Sequence, residues 1–481
     1  MKAIRVLTGI LFAPLILPAS TPAVAQTASF ASNFADRTMR VDFYHTGDAG
    51  RETFARDRVV SDGPWAGSET RLLDSLNLGT YFFEVRDSAT DQPLYSRGYS
   101  SIYAEWATTA EAGKAPGTFH ESLRFPWPRR PVRVIVSRRD ARNGWHALWT
   151  TIIDPDSPEV NSASLPPAGR LWTVFASGPP KQKVDIVLVS EGYTRAELPK
   201  FHADVRRLVA KLFATEPFKH RRSDFNVRAL DLPSAASGIN RPNVGHFRRT
   251  PLSTSYNIFG SERYVLTEDN RALRDALSNV PYEFVEILVN EKQYGGGGIF
   301  NDQSTVAVGT AFAEYIFVHE FGHHFAGLAD EYYTSPVAYQ ADSAGPKVEP
   351  WEPNVTALRD PAALKWRDLV DSGVPIPTPW QKAEYETHSR EIQARRKQLI
   401  DRHAPEAEFD ALFREQLEAE TPLLGSMTWS HRTGAFEGAA YEATGLYRPE
   451  TDCIMFTRDA VGFCRVCRRA IERIMDQYAA P

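Results

Sequence analysis

The sequence predicts a multidomain chain in which an antiparallel β-sandwich precedes an α/β domain. Residues from about 38 to 153 read as short strands with no helix-period segment of comparable length between them. A proline-rich break follows, and beyond it buried strands alternate with amphipathic helices. The 481 residues, 42% hydrophobic and 24% charged, supply enough apolar material for more than one core. A net charge of -5 lacks the basic surplus of a nucleic-acid or anionic-membrane binder, so neither partner is expected.

In chain order, "MKAIRVLTGILFAPLILPASTPAVAQ" comes first, with Lys2 and Arg5, an apolar stretch from Val6 to Leu17, and small residues at its end. Ala23-Val24-Ala25 fits the signal-peptidase rule, so residues 1–25 are expected to be removed and the protein secreted or periplasmic. Pro14, Pro18 and Pro22 interrupt the segment, and its apolar run is shorter than the ~20 residues of a span, so no stable membrane insertion is expected after cleavage. Residues 26–153 form the expected sandwich. "TMRVDFYH", "TYFFEVRD", "PLYSRGYSSIYAEW" and "PVRVIVSRRD" are its strand candidates, separated by turn signals such as "SDGPWAGS". The linker is placed at 154–170, where "IDPDSPEVNSASLPPAG" has four prolines and no periodicity.

Residues 171–481 carry the α/β pattern. "KVDIVLVSEGYT" is a nearly continuous apolar run, as expected of a strand covered on both faces. "RAELPKFHADVRRLVAKLFAT" places Phe201, Val205, Val209 and Leu212 on one helical face. "FNVRALDL" and "EFVEILVN" read as strands, with a helical "EDNRALRDALSNV" between them. Residues 380–420 are highly charged with helical spacing; they read as a helical insertion with solvated faces. "YGGGGIFN" lacks the GK[ST] ending of a phosphate loop and reads as a flexible lip leading into an exposed edge strand. An extended peptide could pair with such an edge.

"FVHEFGHHFAGLADEYY", from 317 to 333, carries the chemistry. On a helix His319 and His323 lie one turn apart on the same face, at a separation one tetrahedral zinc can bridge. Glu320 is rotated by about 100°, which suits a general base that takes a proton from an attacking water. Gly327 can end the helix in a left-handed turn, after which the chain folds back to offer a third ligand. The pattern is HExxHxxxGxxD, one residue longer before the glycine than the metzincin HExxHxxGxxH. Asp330 therefore occupies the third-ligand place, with Glu331 as its rival. His324 points elsewhere around the helix and reads as a packing or supporting residue. Met455 in "YRPETDCIMFTRD" is the candidate floor beneath the metal, with Met427 as runner-up.

The three cysteines, Cys453, Cys464 and Cys467, are too few for a disulfide framework. One bridge and one leftover thiol is the simplest count in an oxidising compartment; zinc or redox chemistry at "CRVC" is the alternative.

"HEFGHHFAGLADEYY", "DIVLVSEGYT", "VNEKQYGGGGIFN", "YRPETDCIMF" and "FCRVC" together resemble the M64 metallopeptidase family, often called the IgA peptidase family. "TMRVDFYHTG" and "GPWAGSETRLLDSLNLGTYFFEVRD" resemble that family's accessory domain, so the likeness runs from about 35 to the C-terminus. The resemblance implies a secreted Zn2+-dependent endopeptidase acting on a protein or glycoprotein substrate, with a metzincin-like catalytic domain. It also implies His319 and His323 as ligands, Glu320 as base and Asp330 as third ligand. Thr457 stands where some metzincin-like enzymes place a transition-state tyrosine. Tyr447 and Arg448 lie in the same region without an assigned role. A different class of function, an extracellular binding protein on a peptidase scaffold with non-catalytic zinc, is disfavoured by the intact Glu320.

Overall fold

The computed structural model describes residues 29–165, 168–335 and 347–479. The expected signal segment, 1–25, lies outside them. Among the described residues no helix is long and apolar enough to cross a membrane.

The N-terminal unit contains two four-stranded sheets. Phe34–Gly47 pairs antiparallel with both Glu52–Ser61 and Gly117–Pro128 in one; Tyr81–Asp87 pairs antiparallel with Pro93–Tyr99 and Val132–Arg139 in the other. Alternation along the strands turns Met39, Val41, Phe43, Leu123 and Phe125 of the first sheet inward to meet Phe83, Val85, Val134 and Val136 of the second. The segment "PLYSRGYSSIYAEW" divides: only Pro93–Tyr99 is a strand, and Ile102–Trp106 is a short helix. The Ser101 hydroxyl caps that helix by accepting from the Ala104 N–H at 3.2 Å, a competing use of serine that alternation of apolar residues conceals. The segment expected to be a structureless linker is also partly used. Val160–Asn161 pairs with Val59 and Val60 at the first sheet's edge.

The second unit is built on a six-stranded sheet ordered Gly296–Ile299, Gln303–Ala307, Phe284–Val289, Val184–Glu191, Phe225–Asp231, Arg170–Phe175. The inner four run parallel and both edges run antiparallel. Every residue of Val184–Glu191 is buried, as its unbroken apolar run requires of a strand covered on both faces. On one side lie Leu198–Leu212, the site helix Ala313–Ala326 and the C-terminal helix Arg465–Tyr478, which share a core with the sheet. Phe218, Phe321, Phe325 and Phe463 pack there, each such ring contributing about 1.5–3 kcal/mol by leaving water. The stretch "EDNRALRDALSNV" yields a helix of only seven residues, Asn270–Ala276. The charged insertion is a pair of packed helices, Lys382–Asp401 and Glu406–Gly425.

The two units meet at a buried ionic network. Arg40, fully buried, donates from Nε to Asp42 at 2.9 Å and from Nη1 to Asp62 at 2.7 Å, and reaches Asp275 on the second unit. Arg58 bonds Asp42 at 2.7 Å and Asp275 at 2.6 Å, and Arg124 bonds Asp62 at 2.8 Å and the Tyr282 carbonyl at 2.9 Å. Burial pushes the Asp42 carboxyl up, but Arg40, the Ser122 hydroxyl and Arg58 together hold it below its ordinary value. Stability from this shift is therefore present above the ordinary aspartate pKa of about 4 and is lost as pH falls through the lowered value. Arg40→Met takes away the one fully buried cation between Asp42 and Asp62, leaving each with a single arginine, and is expected to cost about 3–5 kcal/mol. Urea titration followed by tryptophan fluorescence at pH 7 checks this, and a loss below 1 kcal/mol would refute it.

Candidate metal centre and active site

The site helix contains no proline, and Gly327, at φ 59° and ψ 34°, ends it. The Gly327 N–H bonds the His323 carbonyl at 3.0 Å and the Leu328 N–H bonds that of Gly322 at 3.3 Å, a glycine-terminated stop that turns the chain back along its own last turn. Asn354 holds the returning segment. Its side chain accepts from the Ala329 N–H at 2.8 Å and donates to the Ala329 carbonyl and to Glu331 Oε1, both at 2.9 Å. Asn354 lies in "WEPN", which carries no recognisable motif, so sequence reasoning missed it.

This path brings Asp330 back over the helix. His319 Nε2, His323 Nε2 and Asp330 Oδ1 form a triangle with sides of 3.1, 3.0 and 3.2 Å. Both imidazoles are oriented from behind. His319 Nδ1 donates to the Ile454 carbonyl at 2.9 Å, and His323 Nδ1 to the Leu328 carbonyl at 2.5 Å. In the neutral rings each Nε2 is then a bare lone pair, and Asp330 Oδ1 is buried without a hydrogen-bond partner. Three lone pairs so close together repel one another unless a cation lies among them. Tetrahedral zinc with Zn–N and Zn–O bonds near 2.0–2.1 Å has ligand–ligand edges of ~3.3 Å, close to the observed sides. These residues fit a zinc ion.

The electrostatics show that positive charge is wanted among these atoms: with no metal a proton shared between His323 and Asp330 supplies it, and a bound zinc ion would take that proton's place. Burial pushes Asp330 up, yet His323 and His319 hold its carboxyl well below the usual range. Burial pulls His323 down, but Asp330 overrides it and lifts the imidazole to about 9. The outer oxygen of Asp330 accepts from the Tyr441 hydroxyl. Tyr441 (φ 66°) and Ala440 (φ 47°) form the tip between Phe436–Ala439 and Glu442–Arg448 with no glycine at either left-handed position. The Tyr441 and Ala440 N–H groups bond the Tyr332 and Asp330 carbonyls, both at 3.0 Å, which holds the tip in that conformation. Glu331 turns the other way, into the core beside Cys453, Cys464 and Cys467, so the rival third ligand does not face the histidines.

Glu320 sits beside the imidazoles, with a carboxylate oxygen within 4.8 Å of ligand nitrogens of both. Burial raises its carboxyl above the ordinary value against the pull of His319 and His323. Met455, fully buried, lies under the helix: a Cβ on Gly322 would meet its sulfur at 3.0 Å. Its carbonyl accepts from the Glu331 N–H at 2.8 Å. Met427 belongs to the same core cluster, after the insertion helices. His324 is wholly buried, 2.8 Å from Glu286 on the sheet, as its position on the helix predicts. Arg448 is buried and bonds the Gly438 carbonyl at 2.8 Å, a structural use; Tyr447 pairs with Thr356.

The glycine run is not a lip. Gly296–Ile299 is itself the edge strand, three of its four residues are buried, and Gly296 and Gly298 are the ones that face the site helix. A Cβ on Gly298 would stand 2.4 Å from the Glu320 carbonyl and 3.0 Å from His323 Cβ, so strand and helix approach as only glycine permits.

The site opens into a cavity of about 720 Å³. Gly298, Glu320, Thr457 and Tyr332 line it, as do Ser100, Ala104 and Glu105 of the N-terminal unit. The insertion contributes Tyr385, Gln393, Arg396 and Gln416, so one of its faces is a cavity wall and not solvated surface. Arg263 pairs with Glu406 through contacts of 2.9 and 3.2 Å. Arg396 and Arg458 have no carboxylate within ion-pair distance among the described residues; burial, then Arg458 and Arg263, lowers Arg396 to about 10.

The donor set is of the kind a metallopeptidase uses. Residues 173–475 match the family model described as IgA Peptidase M64, and residues 29–150 match that of the Peptidase M64 N-terminus. The chain belongs to the M64 peptidase family. A comparison with curated proteins gives no match.

Gly298→Ala should lower the thermal unfolding midpoint, at an overpacking cost of about 1–3 kcal/mol. Gly425→Ala, where an added Cβ meets nothing within 4 Å, is the control and should be neutral or slightly stabilising. Equal midpoints for the two variants in a calorimetric scan would contradict the strand–helix contact.

Proposed function

We propose that this protein is an exported zinc endopeptidase, with a β-sandwich accessory unit forming part of the cleft of a metzincin-like catalytic domain. The observation that carries the reading is the triangle of His319, His323 and Asp330, whose Nε2 and Oδ1 atoms converge because both Nδ1 atoms are spent on carbonyls. A zinc ion bound there supplies Lewis-acid polarisation of a peptide carbonyl and lowers the pKa of a water. Glu320 takes the proton of the attacking water and returns it to the leaving amine nitrogen. An extended substrate lies along the cavity side of the edge strand at Gly298, and Thr80, Ser100 and Glu105 bound the cleft from the accessory unit. The family description does not fix immunoglobulin A as the substrate.

Glu320→Gln should lower kcat/KM on a casein or immunoglobulin panel by about 10²–10⁴-fold while metal content stays at the wild-type value. Wild-type cleavage by the variant would reject Glu320 as the base.

Arg396 and Arg458 suit an acidic side chain or carboxylate on the substrate, because two half-buried cations that line the cavity without carboxylate partners among the described residues attract an anion. Cleavage-site sequencing with a peptide library should show acidic residues enriched near the cut. Arg396→Gln with Arg458→Gln should reduce the acidic-to-neutral kcat/KM ratio by about 10-fold or more. An unchanged ratio would remove the arginines from the specificity site.

A further inference from the structure

The three cysteines are not arranged as one bridge and a spare thiol. All three are free and buried, and together with Glu331 they form a second cluster whose four donor atoms lie within 4.8 Å of one another. Cys453 Sγ and Cys467 Sγ are 3.9 Å apart, and Cys467 Sγ is 3.3 Å from Glu331 Oε1. We propose that Cys453, Cys464, Cys467 and Glu331 hold a structural zinc ion, separate from the histidine site.

Geometry supports this in three ways. Tetrahedral zinc with Zn–S bonds near 2.3 Å has S–S edges of ~3.8 Å, which matches the Cys453–Cys467 separation. Two of the sulfurs are placed as hydrogen-bond acceptors: Cys464 N–H points to Cys453 Sγ at 3.3 Å and Cys467 N–H to Cys464 Sγ at 3.4 Å, contacts that favour thiolate over thiol at those two positions. Cys464 and Cys467 also have the C-x-x-C spacing of a metal knuckle, and Cys464 caps the fourteen-residue helix Arg465–Tyr478, whose N-terminal dipole favours anions. The fourth donor is the independent observation. Glu331 has 0% exposure, Oε1 accepts from Asn354 at 2.9 Å, and Oε2 is buried with no hydrogen-bond partner. A carboxylate oxygen left so is costly unless a cation takes it. Four donors, three of them sulfur, in a closed and buried set favour zinc in a structural role over an ion that keeps an open position.

The location gives such an ion a job. Glu331 adjoins Asp330, and Cys453 adjoins Ile454, whose carbonyl orients His319. Met455, one residue further, receives the Glu331 N–H. A metal here would fasten the third-ligand segment, the turn beneath the site helix and the C-terminal helix at one point.

The test uses the full-length chain purified without added metal or thiol reductant. Elemental analysis of the His319→Ala/His323→Ala variant should find close to one zinc per chain, against two in the wild type. Thiol titration of that variant in denaturant with chelator should find three reactive thiols. Stepwise mercurial titration of the native variant should release the zinc as those thiols are blocked. Reconstitution of the wild type with cobalt should give a thiolate-to-metal charge-transfer band that Cys464→Ser/Cys467→Ser abolishes. If that variant fails to fold, the mercurial release from the native chain decides alone. A folded histidine variant without metal, or a single titratable thiol indicating a disulfide, would overturn the proposal. A wild type with one zinc and the cobalt–thiolate band would instead sustain this site and remove the histidine one.

Discussion

The site depends on two hydrogen bonds made behind it. His319 Nδ1 to the Ile454 carbonyl and His323 Nδ1 to the Leu328 carbonyl fix both rings and leave both Nε2 atoms aimed at one point. An imidazole free to rotate or to place its proton on Nε2 would not present a lone pair, whatever its position in an HExxH motif. Each bond needs a carbonyl that the helix itself cannot supply. One comes from the turn 453–457, more than a hundred residues downstream, and the other from the segment that turns back at Gly327.

Those carbonyls are held in place by packing that tolerates little change. The helix lies against the sheet edge at a distance set by Gly296 and Gly298, and against the downstream turn at a distance set by Gly322 over Met455. Side chains at any of these positions would push the helix away from one neighbour and misalign the donors. The strain of a glycine-free tip at Ala440 and Tyr441 is borne by pairing with Asp330 and Tyr332, a cost that makes sense where the Tyr441 hydroxyl must reach the outer oxygen of Asp330.

The N-terminal unit is joined to this framework by charges with little exposure. Arg40 faces Asp42, Asp62 and Asp275 in a region where each unpaired carboxylate would cost several kcal/mol. The network's bonds cross between the two units at Asp275 and at the Tyr282 carbonyl. That arrangement carries Ser100, Ala104 and Glu105 to the cleft, so the accessory unit forms part of the cavity wall.

Local sequence was informative where periodicity and spacing are local. The buried parallel strands Val184–Glu191 and Phe284–Val289, the helix with Phe201 and Val205 on its inner face, and the i,i+4 pair His319 and His323 were legible because neighbouring residues dictate them. The glycine at 327 announced a reversal and Asp330 a returning donor. Long-range closure was not legible. The glycine-to-aspartate spacing favoured Asp330 over Glu331, but the groups that hold that choice, Asn354 and the Met455 carbonyl, lie outside the motif. The charged helices looked solvated because their composition cannot say that Arg396 and Gln416 face a cavity. The cysteines looked like a bridge and a remainder, since C-x-x-C alone lacks the fourth donor that folding brings from residue 331. Sequence alone determined most of the core elements and the reactive residue types, whose periodicity and spacing are local. Only tertiary structure decided which donors converge, because that convergence rests on carbonyls and carboxylates far apart in the chain.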